Sequence, residues 1–179
     1  MASPFRPALD LLAQYAEYHR DHRNIVTHFV GIPLIVFAVG VLLARPGFEV
    51  AGWLLTPAWL LWLASTAWYL SRGELFLGVV VSVVNGMLLA LGQPLAALST
   101  AAWLAWGLCS FVVGWLVQFV GHYYEGRKPA LVDDLSGLLV GPMYVTAEAL
   151  FALGWKRELA RAIERRAGPV VLHDLAARA

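Results

Sequence analysis

The fold is decided by residues 75–124, LFLGVVVSVVNGMLLALGQPLAALSTAAWLAWGLCSFVVGWLVQFVGHYY, which contain no Asp, Glu, Lys or Arg over 50 positions. A bilayer core of about 30 Å takes about 20 apolar residues in a helix, so this run is long enough to cross twice. Its middle, LGQPLA at residues 91–96, supplies a Gly and a Pro for the turn. We therefore expect two membrane helices, near 75–91 and 98–121.

The composition of the whole chain also indicates an integral membrane protein. Hydrophobic residues make up 60% of the 179 residues and charged residues only 14%, whereas soluble domains carry about 25% charged residues. A net charge of +1 argues against a nucleic-acid partner. Residues 1–24 carry acids and bases throughout and lack the apolar core of a signal peptide. We expect a single integral membrane domain over 1–179; its oligomeric state does not follow from the sequence.

Two further spans precede the long run. The uncharged stretches 24–44 and 50–71 contain 21 and 22 residues, and they predict spans near 28–44 and 51–70. The expected fold is thus an all-α, polytopic helix bundle with four transmembrane helices.

The stretch 135–155, LSGLLVGPMYVTAEALFALGW, leaves two interpretations open because Gly141-Pro142 interrupts it and Glu148 lies within it. It is either a fifth span or a re-entrant or interfacial segment. With four spans, twelve of the 13 Lys and Arg residues share one side and only Arg45 lies opposite; a fifth span gives six against seven. The positive-inside rule therefore favours four spans, with both termini in the cytoplasm. We expect the inner membrane of a bacterium.

The tail, residues 156–179, is expected to be cytoplasmic and to begin with an amphipathic helix. Arg157, Arg161 and Arg165 follow one another at i, i+4 spacing, while Leu159 and Ile163 lie on another face. This pattern suits a helix that lies on anionic lipid headgroups. A solvated, charged helix end fits it equally well.

Four of the five histidines are predicted to lie at one face of the membrane. His28 begins the first span and His122 ends the fourth, and an even number of crossings returns the chain to the same face. His19 and His22 precede the first span and lie there too, whereas His173 in the tail is interpreted as ordinary surface. A lone histidine here is most simply a helix cap, but several converging polar residues at a membrane helix end indicate a protein interior or a water-filled cavity.

Gln118, His122 and Glu125 form one stripe on a helix, at i, i+4 and i+7. Histidines with a nearby carboxylate and open positions suit non-haem Fe(II) and oxygen chemistry, although imidazole also suits zinc, copper and nickel. Glu125 and Gln118 are candidates either to bind a metal or to hold a ligand histidine by its second nitrogen.

His19 and His28 need a bend between them in order to meet. They are nine residues apart, which is 180° around a continuous helix. The sequence permits a bend, because Asn24 and Thr27 are both candidates for the N-cap of the first membrane helix. Spacing alone leaves His22 undecided.

Four other polar residues have two interpretations each. Arg127 and Lys128 are positive-inside anchors, or they hold an anionic substrate headgroup by charge-assisted hydrogen bonds. Asn85 and Ser82 in the third span are interpreted as helix-packing residues rather than site residues, because small and polar side chains commonly bridge membrane helices.

Two segments resemble a known family, the yeast-type 2-hydroxy fatty acid dioxygenases. YAEYHRDHRNIVTHFVGIPL (15–34) resembles its first signature, H-x4-N-x3-H followed by G-x-P, and QFVGHYYEGRKPAL (118–131) resembles its second, with GPMYVTAE (141–148) following. The resemblance covers roughly residues 10 to 155, and the motifs are specific when they occur together.

The resemblance implies an Fe(II)-dependent α-oxidation, in which a 2-hydroxy fatty acid and O2 give a fatty acid one carbon shorter. It implies His19, His28 and His122 as iron ligands, with His22 outside the pattern. It implies Glu125 and Glu148 as carboxylate partners and Asn24 and Gln118 as supporting groups.

Other readings of the same residues remain open. A non-enzymatic transport or assembly protein would use its histidines only as helix caps. A haem protein would take His28 and His122 as axial ligands. A zinc hydrolase would use three histidines and an open position.

Overall fold

The structure is a computed structural model that describes residues 5–128 and 136–174. It is mostly helical, with one small hairpin. The helices are α1 (Ala8–Ala16), α2 (His22–Leu42), α3 (Pro57–Leu70), α4 (Leu75–Gly92), α5 (Thr100–Glu125), α6 (Gly137–Ala152) and α7 (Arg157–Ala167); the strands are β1 (Phe48–Val50) and β2 (Trp53–Leu55).

Three helices in the described part of the chain are long and apolar enough to cross a membrane, namely His22–Leu42, Leu75–Ala97 and Thr100–Glu125. The last five residues of the second belong to a 3-10 turn, Gln93–Ala97, at the predicted break between two spans. Apolar side chains cover the outer faces of these helices, as lipid contact requires.

The start of the second predicted span, 51–70, is corrected by the structure. Residues 48–55 form the hairpin β1-β2, and α3 starts only at Pro57. Ala51 and Gly52 both have positive φ, which makes the tight two-residue turn of a hairpin. With 14 residues, α3 is about 21 Å long, less than the about 30 Å of a bilayer core.

The helix α3 nevertheless runs between the two ends of the bundle. Its N-terminal Ala58 donates to the carbonyl of Leu43, just beyond α2, and Arg72 just after it accepts from the backbone of Ala8 in α1. We call the end that holds α1 the near end and the other the far end. The helices α2 to α5 thus alternate in direction, and the number of membrane crossings stays a prediction.

The helix α6 lies at the near half of the bundle, where it packs against α1, α2 and α4. Its first residues, Gly137 and Leu138, line one cavity together with Ile35 and Val36, about two thirds of the way along α2. A re-entrant path for residues 135–155 remains a prediction, since residue 135 lies outside the described residues.

The helix α7 corrects the expectation for the tail. Leu159 and Ile163 are buried in the core cluster that α1 and α6 contribute to, together with Leu12 and Met143. The apolar face of α7 is therefore covered by protein and not by lipid headgroups or solvent, which the charged pattern alone did not reveal.

Close contact between α2 and α5 sets the position of the histidines. A Cβ atom on Gly31 would lie 2.9 Å from the carbonyl oxygen of Gly114, and one on Gly114 would lie 3.0 Å from the carbonyl oxygen of Gly31. Only glycine permits this approach, as in other small-residue contacts between membrane helices. The contact brings His28, one turn before Gly31, next to His122, two turns after Gly114.

Candidate metal centre

Three histidines converge at the near end of the bundle. The rings of His19, His28 and His122 lie 4.4 to 5.2 Å apart between centroids, and one nitrogen of each lies within 4.8 Å of the others. All three side chains are buried. We call these residues the His cluster. It joins the turn after α1, the first turns of α2 and the last turn of α5.

The bend that His19 needs is present, but its cap is not the predicted one. The helix α2 begins at His22, and its N-cap is Asp21, whose carboxylate accepts from the backbone of Arg23 at 2.9 Å. Asn24 and Thr27 lie inside the helix, so the expectation that one of them is the cap was wrong. Asp21 supplies the oxygen earlier in the chain, and its hydrogen bond with the Arg23 side chain holds the pKa of Asp21 well below its usual value.

The tautomers of His19 and His28 follow from their partners. Nδ1 of His19 lies 2.6 Å from the carbonyl oxygen of Tyr15, and Nδ1 of His28 lies 2.8 Å from that of Asn24. A carbonyl oxygen only accepts, so each Nδ1 carries a proton and donates. The Nε2 atoms then present lone pairs, and they lie 2.9 Å from each other. Two facing lone pairs repel each other, whereas a cation bound to both removes the repulsion.

Burial keeps His19 in the neutral form that ligates metals. Burial and the neighbouring His28 lower the pKa of His19 well below its usual value. Tyr15 stacks on its ring, with centroids 4.1 Å apart and planes at 5°. The ring is thus held from its face by Tyr15 and from its Nδ1 by the carbonyl of the same residue.

Other buried polar atoms around the cluster also lack protein partners. Among the described residues, His122 Nδ1, Gln118 Oε1 and Asn24 Oδ1 have no hydrogen-bond partner. Buried polar atoms are nearly always satisfied, so such a group points to an unseen ligand, ion or water. Three histidine nitrogens with two lone pairs in contact fit a divalent metal ion.

Glu125 supports the cluster from outside. Its carboxylate accepts from the backbone N–H groups of Arg20 and Asp21, at 3.1 and 2.8 Å, and from the Asn24 amide at 3.0 Å. These contacts match neither of the two roles predicted for Glu125, since they go to backbone N–H groups and an amide; Glu125 acts as a clamp on the turn that carries His19. Asn24 supports the same turn, and its carbonyl orients His28.

Arg20 is a supporting residue that the sequence analysis missed, because it counted this cation only as a topological anchor. It is 8% exposed and donates to the carbonyls of Ala16, His19 and Gly168 and to the Tyr144 hydroxyl. Tyr144 in turn donates to the His19 carbonyl at 3.2 Å.

Glu148 lies 3.9 Å from the Arg20 guanidinium and outside the His cluster. Its carboxylate therefore lies close to the residue that holds His19 and not to the three histidine nitrogens.

The chain after α7 returns to this turn and corrects the interpretation of His173. The backbone of His173 donates to the Asp21 carboxylate at 2.9 Å, and its carbonyl accepts from Arg23 at 2.7 Å. Val171 exchanges backbone hydrogen bonds with Arg20 and His22. Residues 168–173, which we call the strap, thus cover the outer side of the turn, and His173 is part of this contact and not free surface.

Three predicted residues are not brought into the cluster. His22, Arg127 and Lys128 are exposed. Arg127 donates to the carbonyl of Glu17 at 2.9 Å, at the rim of the near end. Pro129 of the second signature lies outside the described residues.

A cavity opens next to the His cluster, between α2, α5 and α6. His28, His122 and Gln118 line its polar side, while Ile32 and Trp115 are among its apolar walls. The cavity measures about 60 Å³, and we call it the site cavity. A small polar group placed in it reaches two of the three histidines.

The two segments that carry the sequence resemblance meet at this cluster. A family model described as 2-hydroxy-palmitic acid dioxygenase Mpo1-like matches residues 5–153. The chain belongs to this Mpo1-like family. The 2-hydroxy-palmitic acid dioxygenase of Saccharomyces cerevisiae is 34% identical to it over 164 residues, which cover 87% of this chain and 88% of the yeast protein. No solved structure matches the chain.

Membership of the Mpo1-like family agrees with the expectation from the two signatures. The matched range contains the whole His cluster, its clamp Glu125 and the helix α6. It ends before α7 and the strap, so the C-terminal contacts described here lie beyond the matched residues.

Proposed function

We propose that this chain is an Fe(II)-dependent dioxygenase that performs α-oxidation of 2-hydroxy fatty acids in a membrane. The proposal has two supports. The first is the family, whose yeast member is named for the dioxygenation of 2-hydroxy-palmitic acid. The second, which carries the metal assignment, is the pair of facing Nε2 atoms in His19 and His28.

His19, His28 and His122 would hold the iron. Bound there, Fe(II) supplies open positions for the substrate and O2 and the redox chemistry of the reaction. The product is a fatty acid one carbon shorter than the substrate. The carbonyls of Tyr15 and Asn24 fix the orientation of two ligand rings through their Nδ1–H groups, as supporting groups do in other metal sites.

Gln118 is the residue best placed to orient the substrate's polar end. It is 5% exposed, it lines the site cavity, and its Oε1 lacks a partner among the described residues. A 2-hydroxyl group would satisfy that oxygen, and the amide N–H2 would donate to a carboxylate. Arg127 and Lys128, at the rim, would attract the carboxylate as it approaches.

Apolar walls would hold the alkyl chain and exclude water, and the bilayer would supply the substrate laterally. We place the protein in the inner membrane of a bacterium with both termini in the cytoplasm. The clustering of α1, α7 and the strap at one end supports termini on the same side.

The haem alternative has less support. A porphyrin between His28 and His122 would have to separate two rings whose centroids are 5.2 Å apart and which both contact His19. A Soret band in the absorption spectrum of the purified protein would support the haem alternative.

The direct test is conversion of 2-hydroxypalmitate to pentadecanoic acid by protein purified without oxygen, loaded with Fe(II) and then exposed to O2. We expect product from the wild type and from His22→Ala, the exposed control, and none from His28→Ala or His122→Ala. A folded wild-type protein that forms no product with Fe(II) and O2 present would overturn the proposed function.

A further inference from the structure

A second, larger cavity lies next to the site cavity, in the membrane part of the bundle. It measures about 430 Å³, within the about 300–1,000 Å³ typical of ligand pockets. Ile35, Val36, Leu138 and Pro142 line both cavities, so the two share a wall. We call the second one the inner cavity.

The helix α3 packs on α4, and the inner cavity is lined by residues of α2, α3, α4 and α6. The Trp62 indole N–H donates to the carbonyl of Ser82 at 2.8 Å, and its ring lies over Gly86. Leu138 and Pro142 of α6 also line the cavity. The space between α2, α3 and α4 is left open.

The polar residues on the wall are already engaged with one another. Asn85 donates to the Tyr69 hydroxyl at 3.4 Å, and Tyr69 donates to the carbonyl of Leu139 at 3.0 Å. Asn85 thus bridges helices as predicted, whereas the Ser82 hydroxyl bonds to Gly78 of its own helix. The Ser65 hydroxyl donates to the carbonyl of Trp62. The wall therefore presents a mostly apolar surface to an occupant.

Taken side by side, the two adjacent cavities have a polar end and an apolar end. His28, His122 and Gln118 lie at the first, and Val39, Leu61 and Leu89 lie at the second. His28 and Val39 are eleven residues apart on α2, which corresponds to about 17 Å along the helix axis at 1.5 Å per residue. A molecule with a polar head and a long apolar tail matches this gradient.

We propose that the inner cavity holds the alkyl chain of the 2-hydroxy fatty acid, and that Val39, Leu61 and Leu89 set the chain length the protein accepts. The identity of the ligand rests on the proposed function. The wall shared with the site cavity places the occupant beside the buried His cluster. This favours the substrate's own chain over a bilayer lipid, whose headgroup has no place at that cluster.

The first test is chain-length preference. Val39→Phe adds bulk at the apolar end of the inner cavity and should therefore disfavour long substrates. We expect it to lower kcat/KM for 2-hydroxystearate, relative to kcat/KM for 2-hydroxylaurate, by about tenfold. One methylene group in an apolar pocket changes kcat/KM by about 10–200-fold. The matched control is Val30→Phe, on the outer face of the same helix, where Val30 is 52% exposed. An equal ratio in both variants would overturn the assignment.

The second test does not need turnover. A 2-hydroxy fatty acid with a photoreactive group at its methyl end is expected to crosslink to Leu89, which is buried, in anaerobic protein. Excess 2-hydroxypalmitate is expected to suppress the crosslink. Crosslinks only at outward residues such as Leu60 and Met87, or crosslinks that 2-hydroxypalmitate does not suppress, would contradict it and indicate lipid contact. Crosslinking at the cavity without any product would support the cavity as the site of the alkyl chain and contradict the proposed reaction. Product together with crosslinks only at outward residues would support the reaction and contradict the role of the cavity.

Discussion

The Nε2 atoms of His19 and His28 lie 2.9 Å apart, and the Nδ1 atom of each ring faces a backbone carbonyl oxygen. The two hydrogen bonds to carbonyls commit both protons to the outer nitrogens, so the inner nitrogens face each other with lone pairs. This arrangement is favourable around a cation and unfavourable without one.

Glu125→Gln should weaken iron binding without unfolding the protein. The Glu125 carboxylate now accepts from the backbone N–H groups of Arg20 and Asp21. A glutamine would turn its N–H2 group toward one of these donors, so the turn that carries His19 would loosen. Changes in groups that support metal ligands typically cost about 10–100-fold in metal affinity. Iron affinity measured by chelator competition checks this, with Glu17→Gln, at an exposed position nearby, as the control. Equal affinity in both variants would rule out the clamp.

Asp21→Ala should destabilise the near end of the bundle. The change removes the N-cap of α2, worth about 0.5–2 kcal/mol, and the contact with the strap at His173. Asp10→Ala is the matched control, since among the described residues the side chain of Asp10 forms an exposed ion pair with Arg166, of the kind worth about 0–1 kcal/mol. Thermal unfolding in detergent compares the two. A larger loss in Asp10→Ala would contradict the described cap.

Gly31→Ala should force α2 and α5 apart. The added methyl group would lie 2.9 Å from the backbone oxygen of Gly114, and overpacking of this kind costs about 1–3 kcal/mol. Because His28 and His122 meet across this contact, we expect iron content to fall together with stability. Val30→Ala, one residue earlier on the outer face, should change neither. Full iron content in Gly31→Ala would show that the contact does not position the histidines.

Arg20→Lys should be destabilising although it keeps the charge. The guanidinium reaches three carbonyls and the Tyr144 hydroxyl, and an ammonium group cannot reproduce that planar set of donors. Loss of one hydrogen bond to a charged group costs about 1.5–3 kcal/mol. The free energy of unfolding is compared with that of Arg157→Lys, an exposed control. An unchanged value in Arg20→Lys would leave Arg20 as a topological anchor only.

The meeting of the histidines was predictable from the sequence, and most of their supports were not. His28 and His122 lie at the ends of apolar runs, so counting crossings placed them at one face. Arg20 and Tyr144 gave no such signal, because the hydrogen bond between them joins residues 124 positions apart. The strap was missed for the same reason, since Val171 pairs with the turn through its backbone and not through its side chain.

The second predicted span failed at its start for a local reason. The Ala51-Gly52 turn uses an alanine at positive φ, which is rare for that residue, so the apolar pattern was read as continuous helix. The apolar positions of α7 were identified correctly, but their partner was not, because Leu159 and Ile163 fit a lipid surface and a protein surface equally well.

The central claim is that the three histidines together hold one Fe(II) ion. The most direct measurement is the iron content of protein purified without oxygen, incubated with Fe(II) and freed of excess metal, for the wild type, His19→Ala, His28→Ala, His122→Ala and His22→Ala. The account predicts about one iron per chain in the wild type and in His22→Ala, and a loss of iron in each of the other three folded variants. A folded wild type without iron, or cluster variants that keep full iron content, would contradict it.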